Sequence, residues 1–390
     1  MGYKTYTCPI AKHCGGCELL AVPYPIQLKR KQHYVAELFD GLVDSNAIAI
    51  YGMDNPVQYR HKAATPFAPG PKGQIHHGFY ERGTHRIVSC RDCLVEHPAC
   101  REVIEAVART ARLCRISAYN EDAGVGLLRH AIVRVGCQTN EILLTLVANG
   151  KQLPREQEFV QRLIRQVPQI TSIALNVNQR NTNAMLGRST RILNGAGHIH
   201  DSLLGCQFEI GPTSFYQTNP EQAELLYRLA IEGLHLDAGD TLLDAYCGIG
   251  SIGLSAAKLV EGIKVFGVEK GRSAIADAKR NARLNGLDGN CHFVAADAGD
   301  YMRASARRKQ HFDAVILDPP RAGASQEFLD ALVLLSPRKL SYISCNPQTQ
   351  RRDIELLLDF GYVLDALSIV DMFPHTKHVE TVALLSLPKH

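Results

Sequence analysis

Tryptophan is absent from the 390 residues, and aromatic side chains make up only 7% of them. That scarcity by itself excludes little. The lack of long apolar runs excludes more. No stretch approaches the roughly 20 residues that a membrane span requires, so no membrane segment is expected. The start, Met1 to Cys17, has no apolar core and does not read as a secretory signal. Neither sign of charge dominates: Lys and Arg number 43 against 39 Asp and Glu, for a formal net charge of +4. A global field that draws in a polyanion is therefore missing, and any nucleic-acid contact must come from local clusters. Lys29-Arg30-Lys31, Arg60 with Lys62, Arg280 with Arg283, and Arg307-Arg308-Lys309 are such clusters. Each also reads as a solvated helix face. Repeats and low-complexity segments are absent. The expectation is a cytoplasmic protein, free of membranes and acting as a monomer.

What is present fits a globular chain of two or three domains, with 45% hydrophobic residues. Residues 1–50 hold Cys8, Cys14 and Cys17, followed by an expected helix over Ile26–Leu42. Residues 51–205 carry short alternating segments, such as Ile132–Val135, Ile142–Ala148 and Ile173–Val177, broken by Gly, Pro and Asn. They predict a β-rich central domain with a helix over Arg101–Arg112. Residues 206–390 alternate strand and helix. Asn219 followed by Pro220 marks a helix start. The helix Ser273–Asn285 should stop at Gly286. Strands are expected at Thr241–Tyr246, Val265–Glu269, His292–Ala295, Ala314–Leu317, Leu340–Ser344 and Thr381–Leu387. This alternation predicts an α/β class: a Rossmann-like, doubly wound domain that takes ligands beyond its strand C-termini.

Four motifs carry chemistry. After the first strand of that domain comes Asp244-Ala245-Tyr246-Cys247-Gly248-Ile249-Gly250. Gly248, Gly250 and Gly253 match a dinucleotide fingerprint, with Glu269 at ribose distance, so an NAD enzyme is one reading. S-adenosylmethionine uses the same loop geometry without a pyrophosphate. Asp244 favours it, since a carboxylate suits the methionine ammonium, and Asp297 is placed to reach the adenine. The second motif, Asp318-Pro319-Pro320-Arg321, is a stiff polar corner of the kind that also serves amino-nitrogen methylation. In the third, Ser344-Cys345-Asn346-Pro347, a thiol ends a strand between polar neighbours, unlike the expected core cysteines Cys114, Cys137, Cys206 and Cys291. The fourth, Phe373 to Glu380, ends in a carboxylate. A thiol and a carboxylate together fit chemistry at carbon 5 of uracil. Cys345 adds to carbon 6 and makes carbon 5 nucleophilic, and Glu380 later removes the carbon-5 proton.

With Ser214-Phe215-Tyr216-Gln217-Thr218-Asn219-Pro220, these motifs resemble the bacterial RNA uracil-5-methyltransferases that use S-adenosylmethionine. The similarity runs over nearly the whole chain. It is nearest to the shorter 23S ribosomal RNA enzymes that carry an iron–sulfur cluster, because no RNA-binding barrel precedes Cys8. The resemblance implies Gln217, Tyr246, Gly248, Glu269 and Asp297 in the cofactor pocket, and Asp318 between cofactor and uracil. It implies Cys345 as nucleophile and Glu380 as base. Two departures stand out: Ala245 where leucine is common, and His61 where asparagine is usual in Tyr59-Arg60-His61-Lys62. By spacing alone, Cys14-x2-Cys17 with Cys90-x2-Cys93 reads as a zinc site, leaving Cys8 unused. The resemblance implies instead a [4Fe–4S] cluster on Cys8, Cys14, Cys17 and Cys93, with Cys90 as the alternative fourth ligand. Methyl transfer needs no electron, so such a cluster is expected to tie the N-terminus to the central domain. Transfer RNA is the alternative substrate. A non-catalytic RNA-binding assembly factor is the alternative function, against which Cys345 and Glu380 both speak.

Overall fold

A computed structural model describes residues 4–182 and 184–388; the outermost residues of the expected segments 1–50 and 206–390 lie outside these. Helix α1 (Tyr24–Leu38) buries Tyr24, Gln27, Lys31 and Val35 along one stripe. Three of those four side chains are polar, which an ordinary core-facing helix would not tolerate without partners. The helix stops short of the expected Leu42, at a cap on buried Phe39, and Gly41 turns the chain with φ +79°. A short strand follows, β1 (Ala49–Tyr51).

The central domain is one seven-stranded sheet. Its strands are β2 (Lys62–Pro69), β3 (Ile75–Tyr80), β4 (Ile87–Ser89), β5 (Leu128–Val135), β6 (Ile142–Ala148), β7 (Ile170–Val177) and β8 (Ser189–Asn194), in the order β4-β3-β2-β5-β6-β7-β8. Helices α2 (Pro98–Leu113) and α3 (Glu156–Gln166) bury their apolar stripes against it. Strand β5 is buried along its whole length although it carries Arg129, His130 and Arg134; Arg129 pairs with Glu121, and Arg134 donates to the Ser214 and Tyr216 carbonyls. A hairpin then leads onward, β9 (Ile199–Leu203) and β10 (Cys206–Ile210). Its two turn residues, Leu204 and Gly205, both have positive φ, as a tight hairpin requires.

The C-terminal domain adds α4 (Pro220–Glu232), β11 (Thr241–Ala245), α5 (Ser251–Leu259), β12 (Lys264–Glu269), α6 (Arg272–Leu284), β13 (Cys291–Ala295), α7 (Ala298–Arg307) and β14 (Ala314–Leu317). It continues with α8 (Gln326–Leu335), β15 (Lys339–Ser344), α9 (Pro347–Asp359), β16 (Val363–Val370) and β17 (Glu380–Ser386). The eight-stranded sheet runs β1-β16-β17-β15-β14-β11-β12-β13. Helices α4, α5 and α6 pack on one face, and α1, α7, α8 and α9 on the other. The fold is therefore doubly wound. The chain reverses direction across the sheet between β11 and β14, and a crevice for ligand forms beyond such a switch point. Asn219 caps α4 by accepting from the Gln222 amide, and Gly286, at φ +66°, follows the end of α6.

One difference from the sequence reading concerns the expected segment 1–50. Its helix α1 is part of the C-terminal layers, and β1 pairs in parallel with β16 at the sheet edge. Sequence pattern identifies a helix but not the sheet it packs on. Among the described residues, no helix is long and apolar enough to cross a membrane.

Candidate active site

A cavity of about 1060 Å³ opens beyond the C-terminal ends of β11, β12 and β14. Gln217, Tyr246, Gly248, Glu269, Asp297 and Asp318 all line it, and Cys345 and Glu380 close its far end. The structure thus brings these eight residues to one cavity.

The loop after β11 shapes the near end. The strand stops at Ala245 because Tyr246 turns into the left-handed region, with φ +67°. Such a conformation is costly for a non-glycine residue and concentrates at functional sites. Gly248 continues the turn, and a side chain there would meet nothing within 4 Å, so the loop leaves open space above it. Asp244 departs from expectation. It does not line the cavity. It is buried behind the loop, where its Oδ2 accepts from the Gly253 amide at 2.8 Å. A Cβ on residue 253 would come within 2.9 Å of that oxygen, so glycine lets α5 start this close to β11. Burial lifts the Asp244 carboxyl to about 7. Oδ2 braces the loop, while Oδ1 is buried and has no hydrogen-bond partner among the described residues.

Two further carboxylates are positioned by local turns. Glu269 ends β12 and spends Oε1 on the Gly271 amide, at 2.7 Å. Its other oxygen is left for ribose-like hydroxyls. Asp297 caps α7 through Oδ1, which accepts from the amides of Gly299 and Asp300. Tyr227 and Ser251, which the sequence reading did not single out, also line the cavity, and their hydroxyls lie 3.4 Å apart. Glu269, Asp297 and Asp318 share the walls with three cations, Arg60, Lys270 and Arg321, and Lys270 lies 3.7 Å from Asp297.

At the far end, strand register decides the geometry. Strands β15 and β17 are antiparallel, with Ser344 opposite Thr381. Cys345 follows Ser344 and Glu380 precedes Thr381, so the two flank the last pair of the ladder, and Glu380 is near enough to raise the Cys345 thiol. Glu380 is the first residue of β17, not a loop residue, and is only 7% exposed. Burial holds its carboxyl well above the ordinary carboxylate range; Asp318 adds to the rise, and Arg321 opposes it. Asp318 keeps part of its surface open to the cavity, yet its surroundings lift it to about 7. Burial also raises the Cys345 thiol, with Glu380 and Asp318 contributing, while Arg321 lowers it by charge and by a hydrogen bond. Arg321 is therefore a cation beside both groups. Its Nη2 donates to Nδ1 of His378 at 3.1 Å, and its carbonyl accepts from Asn346 Nδ2 at 2.8 Å, which ties the second motif to the third.

The loop from Phe373 to Val379 is clamped from outside the domain core. His375 is fully buried at φ +67°. Gln27 donates to its Nδ1 at 3.1 Å and accepts from its backbone amide. Its Nε2 donates to the Pro56 carbonyl at 2.9 Å. Burial lowers the pKa of this ring, consistent with a neutral imidazole. Just upstream, Asp371 accepts from Lys31 at 2.6 Å and from the Tyr24 hydroxyl at 2.8 Å. The polar stripe of α1 thus has its partners in the segment that leads to Glu380. A helix whose inward face reads Tyr, Gln, Lys was the available sequence signal for this network. The run Tyr59-Arg60-His61-Lys62 is also largely inward. Tyr59 donates to the Pro374 carbonyl, Arg60 lies over the Phe373 ring, and His61 packs against His97.

Cys8, Cys14, Cys17 and Cys93 line one small cavity, together with Cys90. Cys93 and Cys8 are near enough to raise the thiols of both Cys14 and Cys17, whereas Cys90 is hydrogen-bonded to Cys93. Among the described residues, no three of these sulfurs lie within 4.8 Å of one another. Tetrahedral zinc thiolates sit about 3.8 Å apart at ordinary Zn–S lengths, so the spacing is wider than a single zinc ion needs. His198, His200 and Glu209 do converge within that distance, on the β9–β10 hairpin, but Arg280 already neutralises Glu209.

The family described as tRNA (uracil-5-)-methyltransferase matches residues 23–387 of the chain. An uncharacterized RNA methyltransferase of Halalkalibacterium halodurans is 38% identical over 383 residues, covering 97% of this chain and 83% of that protein. One from Staphylococcus aureus is also 38% identical, covering 97% and 84%. Among solved structures, the Pyrococcus abyssi tRNA (uracil-54, C5)-methyltransferase, in complex with S-adenosyl-L-homocysteine, superposes with a TM-score of 0.77. It is 28% identical, covering 97% of this chain and 87% of that one.

Proposed function

Because this chain belongs to the tRNA (uracil-5-)-methyltransferase family, we propose that it transfers a methyl group from S-adenosylmethionine to carbon 5 of a uridine in structured RNA. The observation that supports the reading is Cys345 and Glu380 close together at one end of the cavity, beside the last β15–β17 pair. Gln217, Tyr246, Gly248, Glu269 and Asp297 hold the cofactor, which supplies a methyl group on a sulfonium. The remaining work falls to the chain. Asp318 is the carboxyl placed to take the thiol proton, and Arg321 stabilises the thiolate. Cys345 Sγ bonds to carbon 6 of the uracil, and the electrons displaced make carbon 5 the attacking atom. After carbon 5 is methylated, Glu380 takes its proton, the 5,6 double bond re-forms and the carbon–sulfur bond breaks. The uridine must leave its stack to enter, at a cost of roughly a few kcal/mol that pocket contacts offset.

Cys8, Cys14, Cys17 and Cys93 are proposed to hold a [4Fe–4S] cluster. Such a group could exchange electrons, but here its role is a brace. The same N-terminal segment bonds to the catalytic loop, with the Leu19 amide donating to the His375 carbonyl. The substrate is proposed to be 23S ribosomal RNA. Transfer RNA is the second reading, favoured by the description of the matched family and of the archaeal neighbour. The test is to map 5-methyluridine in total RNA from cells that lack the gene, then restore them with wild type or Cys345→Ala. The expected result is one uridine in 23S RNA that only the wild type restores. A missing transfer-RNA methyl group would select the second reading. Restoration by Cys345→Ala would overturn the mechanism.

A further inference from the structure

A second cavity, of about 590 Å³, opens on the other side of Cys345. It shares Arg321, Cys345 and His378 with the cofactor-side cavity, so the nucleophile stands where the two meet. Helix α1, the start of α9 and the loop before β17 form its walls. Arg30, Arg321 and Lys377 line it, and no Asp or Glu does. Arg30 and Tyr34 lie one turn apart on α1, on an exposed face beside the buried stripe that clamps the catalytic loop. The neighbouring Lys31 is ion-paired with Asp371. Among the described residues, no carboxylate is ion-paired with Arg30 or Lys377. The nearby acid, Glu18, accepts from the Lys377 backbone amide and faces Arg82 at 3.9 Å. Leu19, Val379 and the Tyr34 ring supply flat apolar surface between these cations.

A groove of this make-up matches one polymer well. Unstacked bases stack on aromatic faces, and the phosphates between them seek unpaired cations. A uridine held at Cys345 has left its stack, and its neighbours must continue away from the cofactor side. We infer that this groove binds the single-stranded RNA adjoining the target uridine, with a base stacked on Tyr34 and phosphates held by Arg30 and Lys377. The inference rests on the reading of the site as an RNA uridine methyltransferase.

The test uses the full-length protein and a fluorescein-labelled oligouridine, with binding measured across a salt series. Methyl transfer to the same probe is measured in parallel, as is affinity for S-adenosylhomocysteine. Tyr34→Ala should weaken RNA binding roughly ten-fold or more, while Tyr34→Phe, which keeps the ring, stays within about two-fold of wild type. The double variant Arg30→Gln/Lys377→Gln should reduce the slope of log affinity against log salt by about 1.4, at about 0.7 per phosphate contact on a single strand. S-adenosylhomocysteine affinity should stay at the wild-type value in all three, which also reports that they fold. If the wild type methylates the probe and the variants bind it as wild type does, the groove is wrong and the reading of the site stands. If the wild type transfers no methyl group to uridine in any RNA, the reading falls and the groove with it.

Discussion

Replacing Glu380 with glutamine separates the two halves of the proposed reaction. The side chain is almost wholly buried, and burial together with Asp318 raises its carboxyl well above the ordinary carboxylate range. A protonated carboxyl and an amide have nearly the same shape, and each can donate and accept, so the substitution should change stability by less than about 1.5 kcal/mol. Catalysis should change far more. A positioned general base contributes about 10²–10⁴-fold, which is roughly 3–5 kcal/mol at 1.36 kcal/mol per factor of ten. Thiol addition and methyl transfer come before proton removal, so the variant should complete one methyl transfer and then stall. The trapped species is methylated RNA bonded through Cys345. The assay is denaturing electrophoresis of the variant with labelled RNA and S-adenosylmethionine, beside quench-flow measurement of the first turnover. A slow band that needs the cofactor, the RNA and Cys345 is expected, with a steady-state rate depressed by the factor above. pH adds a second readout. Because the folded carboxyl is raised, its ionised form grows as pH climbs, so wild-type release should speed up with pH and the variant should not. Wild-type turnover by Glu380→Gln with no trapped band would show that another group is the base.

Cys14→Ser should lose iron and the visible colour of anaerobically purified protein, with reduced solubility; wild-type protein containing zinc and no iron would refute the cluster. His375→Ala leaves the Pro56 carbonyl without its buried partner, while Gln27 keeps the Leu19 and Val22 carbonyls, so the protein should lose about 1–3 kcal/mol of stability. Turnover should fall further than S-adenosylhomocysteine affinity, since the loop leads to Glu380, and equal losses would argue against a positioning role. Asp318→Asn tests the raised carboxyl. The folded group at about 7, against about 4 when unfolded, keeps a proton that the unfolded chain has lost, so wild-type stability declines as pH rises across that window. The urea midpoint of the variant should therefore gain on wild type between about pH 5 and about pH 7.5, and a constant difference would contradict the placement.

Local chemistry was legible from the sequence alone. The α/β alternation, the Asn219 cap, the Gly286 stop and the motifs beyond β11, β14 and β15 all depend on near neighbours in the chain. Short-range sterics and hydrogen bonds dictate them, so reading along the sequence reaches them. It also reached most of the residues that share one cavity, because the C-terminal ends of the parallel strands in a doubly wound sheet open on the same side. Tertiary structure alone decided the rest. The β15–β17 register brings Cys345 to Glu380, which the sequence placed outside any strand. Asp244 faces inward because α5 packs closely on β11 through Gly253, so the expected ammonium partner became a brace. Helix α1 looked like part of a separate segment until its Tyr24, Gln27 and Lys31 found Asp371 and His375, more than 300 residues away. Arg321 gained a place beside the thiol only through the pairing of β14 with β15. Most of these contacts join residues distant in the chain. Their geometry follows from strand register and layer packing, which no local pattern encodes.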